Sequence, residues 1–283
     1  MTRILVTGAT GNVGREVIRL LREQACEIRA AVRDRAKAHS ILGNSVDTVT
    51  FDFTVPDTFT PALTGVQKLF LVRPPAIANV RQHIAPALQA AQQAGVEQIV
   101  FLSLLGGDRN RVIPHYTIER TIEKLGIPAT FLRASFFMQN FNTTHQEEIR
   151  SGELLMPAGQ GRTSFIDIRD IAAVAVKTLI ENGHQHQAYS LTGSEALTYK
   201  EVANIFTSVL DKPIHYANSS LLKFIIMMRR KGLPLNFVLV MAGIYTTARF
   251  GLAGTITDDV PRLLQRDPIR LKQYVKDYRS SWL

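Results

Sequence analysis

The stretch Thr7-Gly8-Ala9-Thr10-Gly11-Asn12-Val13-Gly14 constrains the fold of this chain more than any other. Its glycines are spaced G-x-x-G-x-x-G. Before it runs Arg3-Ile-Leu-Val-Thr-Gly8, a short apolar segment that reads as a buried parallel strand. After it, Asn12 to Gln24 carries Val13, Val17, Leu20 and Leu21 at helical spacing. Each glycine has a physical role. Gly8 lets the backbone turn sharply off the strand. Gly11 lets the backbone approach a diphosphate with no Cβ in the way, and Gly14 lets the helix pack close to the sheet. The amides at the helix start, through Thr10, Asn12 and Val13, point at the anion, and the helix dipole adds to the attraction. A glycine motif alone says little. Between a strand and a helix it marks a dinucleotide-binding crossover.

The end of the second strand selects the cofactor. An acidic residue there would hold the ribose hydroxyls of NAD. Here Glu27–Val32 runs into Arg33, placed to pair with the 2′-phosphate of NADP(H), with Arg35 nearby to assist. Asp34 falls one position late, so NADP(H) is preferred and NAD(H) stays open. Asp52 and Phe53, ending the third strand, are read either as bracketing the adenine or as turn residues.

Strand and helix patterns alternate through the first part of the chain. Asp47–Phe53, Lys68–Val72, Gln98–Leu105 and Ala129–Leu132 read as further strands. Ile77–Ala94 and Tyr116–Leu125 read as helices closed by Gly95 and Gly126. Between Phe53 and Gly65, Pro56 and Pro61 predict a short or irregular crossover. This alternation predicts an α/β fold: a Rossmann-type doubly wound parallel sheet with helices on both faces.

After Asn140 the pattern changes. Gln146–Gly161 is polar, Phe165–Arg169 precedes an alanine-rich helix over Asp170–Leu179, and Ala188–Leu191 has strand character. Thr198 before Glu201 makes a capping box for a helix to about Leu210. The remainder predicts a smaller, mostly helical C-terminal lobe. The domain reading is therefore 1–140 for the nucleotide-binding domain. Residues 141–283 supply substrate-side segments and the lobe, integrated with it.

The chain has 283 residues and a net charge of +9. One cysteine, Cys26, excludes a disulfide framework and a cysteine-based metal cluster. A reducing, cytoplasmic setting is expected, with no signal peptide before the first strand. The basic excess suits a solvated surface or the attraction of anionic ligands. No nucleic-acid recognition pattern accompanies it. Leu221–Met228 and Leu233–Tyr245 are apolar but shorter than the ~18 residues that span a bilayer, so no transmembrane segment is expected. They read as core or lid helices, or as a greasy, basic-flanked surface meeting membrane or a lipophilic substrate. His83, His145, His184, His186 and His215 lack metal-ligand spacing, so no metal is expected and exposed histidines are the default.

With these residues in view, the chain resembles the NmrA-like branch of the atypical short-chain dehydrogenase/reductases, especially its NADPH-dependent quinone (type 2) and azo reductases. The resemblance covers nearly the whole chain. It rests on Val6–Gly14, Val32-Arg33-Asp34, His115-Tyr-Thr-Ile-Glu119, Gly126–Arg133, Phe137–Asn140 and Phe165–Asp170. It implies a cofactor held over the carboxyl ends of the strands and lined near Arg73-Pro74 and Ser103. Ser135–Phe137 would lie near the nicotinamide, and the lobe would hold substrate. Typical short-chain dehydrogenases use Tyr-x-x-x-Lys as acid and cofactor anchor. Here the lysine position falls on His115 and the tyrosine position on Arg111. A competing register gives Tyr116 and Arg120.

Ordinary ketone chemistry through a Tyr–Lys pair is therefore not expected. The quinone-reductase relatives share a histidine at this position. The expected function is an NADPH-dependent reductase passing hydride to a quinone-like or other conjugated, electrophilic acceptor. His115 or Tyr116 would polarise the acceptor oxygen, and His115 is also read as a group that orients ribose or substrate. Phe136, Phe137 and Asn140 would shape a pocket for a small hydrophobic or aromatic acceptor. A non-catalytic NADP(H)-binding redox sensor acting through a partner protein is the alternative. Whether the chain pairs with a second copy stays open.

Overall fold

A computed structural model describes all residues, Met1–Leu283. The chain forms two compact units, Met1–Ala134 with Ile168–Leu191, and Ser135–Asp167 with Thr192–Leu283. The first unit opens with β1 (Thr2–Val6), α1 (Asn12–Leu21), β2 (Cys26–Val32), α2 (Arg35–Leu42) and β3 (Asp47–Thr50). It continues with α3 (Phe59–Leu63), β4 (Lys68–Leu71), α4 (Val80–Gln93), β5 (Gln98–Leu104), α5 (Pro114–Leu125) and β6 (Ala129–Ala134). The chain then contributes β7 (Phe136–Phe137), α6 (Gln146–Arg150), β8 (Glu153–Leu154) and β9 (Arg162–Ile166) to the second unit. It returns to the first as α7 (Ile168–Ile180) and β10 (Gln187–Leu191).

The sheet of the first unit has seven strands in the order β10-β6-β5-β4-β1-β2-β3. Every pairing in it is parallel. Order reverses at β1, which pairs with both β2 and β4. That reversal is the switch point at which doubly wound sheets bind ligands. Leu5, Leu69, Ile99 and Phe101 on one face are buried with Ile84 and Leu88 of α4 and Ile118 and Ile122 of α5. α1 packs against α7, and α7 also packs on β4, β5 and β6. Two polar ties hold α7 down: Lys68 Nζ donates to the Leu179 carbonyl at 2.6 Å, and Gln98 Nε2 to the Thr178 carbonyl at 3.1 Å.

The predicted doubly wound sheet is present, with three departures. The domain break expected at residue 140 does not hold, because α7 and β10 belong to the sheet unit and Ser135–Asp167 does not. Hydrogen bonding of β10 to β6 decides this, which a local pattern does not report. The reading places no helix between Arg33 and Asp47, whereas α2 forms there. Only its Ala38 and Leu42 are buried, too few for a visible apolar stripe. The third strand ends at Thr50 rather than Phe53. The crossover before β4 is short and irregular as expected, a 3-10 turn over Pro56–Thr58 running into α3.

The second unit adds β11 (Ala196–Thr198), α8 (Tyr199–Leu210), β12 (His215–Tyr216), α9 (Leu221–Arg230), α10 (Leu235–Arg249), α11 (Asp259–Leu264) and α12 (Leu271–Asp277). Its sheets are small, β11-β9-β7 and β12-β8. The Thr198–Glu201 capping box is formed in full. An aromatic core joins Phe141, Phe165, Tyr199, Phe206, Phe224 and Tyr245, and Trp282 from the chain end donates its indole N–H to the Phe141 carbonyl at 3.0 Å.

Candidate cofactor and active site

The glycine loop leaves β1 at the switch point. Gly8 sits at φ +61°, which favours glycine. A Cβ on Gly14 would come within 2.2 Å of the Gly8 carbonyl oxygen. The helix therefore closes on the loop's own backbone, a tighter constraint than the helix–sheet contact expected from sequence. Gly11 is the N-cap of α1 and has no side chain to accept the first amides, and no acid lies in the first turn. Gly8, Thr10, Gly11 and Asn12 are exposed, while the Val13 side chain is buried and only its backbone is available. An uncapped, exposed helix start of this kind presents its amides to an anion. A further residue, not singled out from sequence, fixes the loop. Thr7 Oγ1 accepts from the Val72 amide at 2.7 Å, tying the ends of β1 and β4 together.

At the end of β2, Arg33 is exposed and makes no hydrogen bond or ion pair, though its charge helps lower the Asp52 pKa. Its neighbours are committed. Asp34 caps α2, accepting from the Lys37 amide at 3.0 Å. Arg35 Nε donates to Thr48 Oγ1 at 3.2 Å. Asp52 accepts from the Thr54 amide at 2.8 Å and the Thr54 hydroxyl at 2.7 Å, which holds its carboxyl below the usual range. Asp52 is thus a turn residue. Phe53 is buried in the core, its ring perpendicular to that of Phe51 at 4.9 Å.

Beyond β4 and β5, two orphaned nitrogens occur on neighbouring residues. Arg73 gives one guanidinium nitrogen to the carbonyls of Pro74, Pro75 and Ile77, and its Nε is buried without a partner. His115, in the first turn of α5, stacks on Phe101 at 5.9 Å, and its Nδ1 is also buried and unpartnered. Burial, aided by the Arg73 charge, pushes the His115 pKa down to about 4. The imidazole is therefore neutral at pH 7. Buried polar atoms left alone are costly and point to a missing partner. The Tyr116 ring lies under the Arg120 guanidinium at 5.7 Å, while Arg120 pairs with Glu123 at 2.8 Å. The alternative Tyr116–Arg120 register is thus a surface cation–π pair.

Ser103 is not available as a side-chain ligand. It is buried and donates to Glu119 Oε1 at 2.6 Å. Glu119 is fully buried and takes both Nε (3.2 Å) and an NH2 group (2.7 Å) of Arg133, which also reaches Asp108 at 3.3 Å. Glu119 lies one turn beyond His115 on α5. Sequence supplied Glu119 and Arg133 as parts of motifs without a role. Their pairing needs the parallel register that sets Ser103 beside Arg133.

In the second unit, Phe136 and Phe137 are half-buried in β7, and Phe136 packs edge-on to Phe165. Asn140 is half-buried, and its carbonyl accepts from the His145 amide at 3.0 Å. The Ser135 hydroxyl is buried without a partner. A second polar chain lies deeper. Lys231 Nζ pairs with Glu148 Oε1 at 2.8 Å, and Glu148 Oε2 meets His145 Nδ1 at 3.1 Å. His145 Nε2 meets the Tyr245 hydroxyl at 2.5 Å. A carboxylate only accepts, so Nδ1 carries the proton and a neutral ring accepts from Tyr245. The expectation of exposed histidines fails for His145 and His184. Both are buried, the latter bonded to the Tyr189 hydroxyl at 2.8 Å. An open depression of about 610 Å³ beside Ser194, Thr257, Asp258 and Asp267 includes none of the predicted site residues.

The family model described as "NmrA-like family" matches residues 1–256. The NAD(P)H azoreductase of Xenophilus azovorans is 35% identical over 283 residues, covering 99% of each chain. The Citrobacter sp. triphenylmethane reductase complexed with NADP(H) superimposes with a TM-score of 0.87 at 29% identity, over 97% of this chain and 99% of that one. The NADPH-dependent quinone oxidoreductase of Escherichia coli complexed with NADPH gives 0.88 at 28% identity, over 97% and 99%.

Proposed function

The chain belongs to the NmrA-like family, and on that premise we propose that it is an NADPH-dependent reductase delivering hydride to a quinone-like or other conjugated, electrophilic acceptor. One observation carries the reading. An exposed helix start without a capping side chain stands at the switch point, and an unbonded guanidinium, Arg33, stands at the end of the neighbouring strand. The first suits a diphosphate and the second a 2′-phosphate. Asp34 spends one carboxylate oxygen on capping α2, whereas the Arg33 guanidinium is wholly unengaged, which favours NADP(H) over NAD(H). Relatives named for azo and quinone reduction support the acceptor class.

When bound, the cofactor supplies the hydride. The amides of Asn12–Gly14 would bind and orient it, the Gly11 amide being held by the Gly8 carbonyl at 2.9 Å. His115, neutral and held flat on Phe101, donates a hydrogen bond to the acceptor oxygen rather than a full proton, and water completes the protonation. Tyr116 is the second candidate for this contact. Phe136, Phe137 and Asn140 are the proposed acceptor-side residues.

The test is steady-state NADPH oxidation with a panel of quinones and azo dyes, paired with calorimetry of both dinucleotides. Arg33→Ala should weaken NADPH at least about tenfold while leaving NADH nearly unchanged. His115→Ala should lower kcat, and the wild-type rate should be flat from about pH 5 to 8, the range where an unperturbed histidine titrates. Unchanged turnover in His115→Ala removes that residue from the mechanism. NADPH binding with no oxidation of any acceptor would leave the redox-sensor reading in its place.

A further inference from the structure

We propose that the outer faces of α9 and α10 dock this protein on the surface of an anionic lipid bilayer. The sequence between Asp211 and Asp258 contains no acidic residue, yet it holds Lys212, Lys223, Arg229, Arg230, Lys231 and Arg249. Much of the chain's basic excess is therefore concentrated in one segment, and that segment is also its greasiest.

Both helices lay one side on the same core. Phe224 and Met228 of α9 and Val238, Met241, Ala242 and Tyr245 of α10 are buried in the aromatic cluster of the second unit. The two helices also pack on each other, so their remaining faces point away from that core. On α9 the outer face carries Leu222 (68% exposed) and Ile226, flanked by Lys223 and Arg230. On α10 it is Leu235, Asn236, Leu239, Val240, Gly243, Ile244 and Thr247, a run with no charge. Phe250 and Leu252, more than 70% exposed, continue the surface beyond the helix. A soluble surface rarely shows so many neighbouring apolar side chains without a partner.

Charge decides which partner fits. Lys231 is drawn inward to Glu148, and Arg229 bonds the Leu233 carbonyl. Lys223 and Arg230 have no carboxylate beside them on α9 and stand at the edge of the apolar face. Two cations at the edge of an uncharged face match a bilayer interface, where acyl chains take the apolar side chains and anionic headgroups take the ammonium and guanidinium groups. No helix is long and apolar enough to cross a membrane, so the contact lies in the plane of the surface. None of these residues was assigned to hydride transfer, so the inference stands apart from the reductase reading.

Flotation of the full-length protein with phosphatidylcholine vesicles, with and without phosphatidylglycerol, tests this. Binding should appear with the anionic lipid and fall as salt rises, since exposed charges are screened over about 10 Å at 0.1 M. Each cation at the surface is worth roughly fivefold in partitioning, so Lys223→Glu with Arg230→Glu should cut it more than tenfold. Leu239→Asp with Val240→Asp should abolish it while leaving the far-UV circular dichroism and the reduction of a water-soluble quinone unchanged. Equal partitioning to both vesicle types, or none to either, overturns the proposal. So does a dimer in sedimentation velocity that the Leu239/Val240 variant dissociates in protein that ignores vesicles. A raised KM for the soluble quinone in that variant, with no vesicle binding by the wild type, would assign the face to the acceptor and overturn it equally.

Discussion

Each unit buries one glutamate, and the two are solved differently. Glu119 in the first unit is held by the guanidinium of Arg133 and the hydroxyl of Ser103. Glu148 in the second is held by His145 and the ammonium of Lys231. The exposure of the acids is alike, 0% and 3%. Their partners are not. An arginine in a protein stays charged, so Arg133 cannot neutralise if Glu119 is lost. His145 keeps the Tyr245 hydroxyl as a second partner, and Lys231, about one-third exposed, can turn to water. Equal burial therefore does not mean equal dependence. The first unit, which presents the glycine loop and His115, rests on the less forgiving pair.

Glu119→Ala is expected to have the largest effect, about 3 kcal/mol off the unfolding free energy, because it strands a half-buried guanidinium with only Asp108 beside it. Urea denaturation would read this, and a loss under 1 kcal/mol would erase the contrast. Glu148→Ala should cost about 2 kcal/mol, the loss of hydrogen bonds to one charged group, since Lys231 can rehydrate and His145 keeps Tyr245. An equal or greater cost than Glu119→Ala would reverse the comparison.

Acid should sharpen it further. Burial raises the Glu148 pKa, but the His145 hydrogen bond and charge, and then Lys231, more than offset this, so the net shift is downward. Its stabilisation is then fully present above the unfolded carboxylate pKa of about 4.3 and is lost as pH falls through the lower folded value. The gap in urea midpoint between wild type and Glu148→Gln should hold from pH 7 to near 5 and narrow below about 4. A gap that widens on acidification would contradict the assignment. The smallest effect belongs to Lys231→Ala, no more than about 1 kcal/mol for a partly exposed pair. A larger loss would show that the ammonium, not His145, anchors Glu148.

Much of the architecture was legible because its signals are local. Runs such as Arg3–Gly8 and Gln98–Leu105 are apolar on both sides of the strand, as a strand covered on both faces must be. The glycine spacing requires a backbone conformation and a close approach that other residues do not permit. Arg33 was legible by its place after β2. The third strand was read three residues too long, because the two-residue periodicity continues through Phe53 while the strand ends at Thr50, one last bond running from the Phe51 amide to the Val32 carbonyl. Glu119, Arg133, Glu148 and His145 were visible only as letters. Their pairings join positions far apart or opposite faces of a turn, and nothing in a linear pattern reports a buried partner.

The sequence by itself determined a glycine-rich strand-to-helix crossover, a parallel sheet and an arginine directly after the second strand, since each depends on residues within a few positions of one another. Tertiary structure alone decided that β10 and α7 join the sheet unit, that Ser103 is bonded to Glu119, and that His115 is buried and neutral. Those outcomes depend on burial and on which polar groups meet, and both are set only when distant segments pack together.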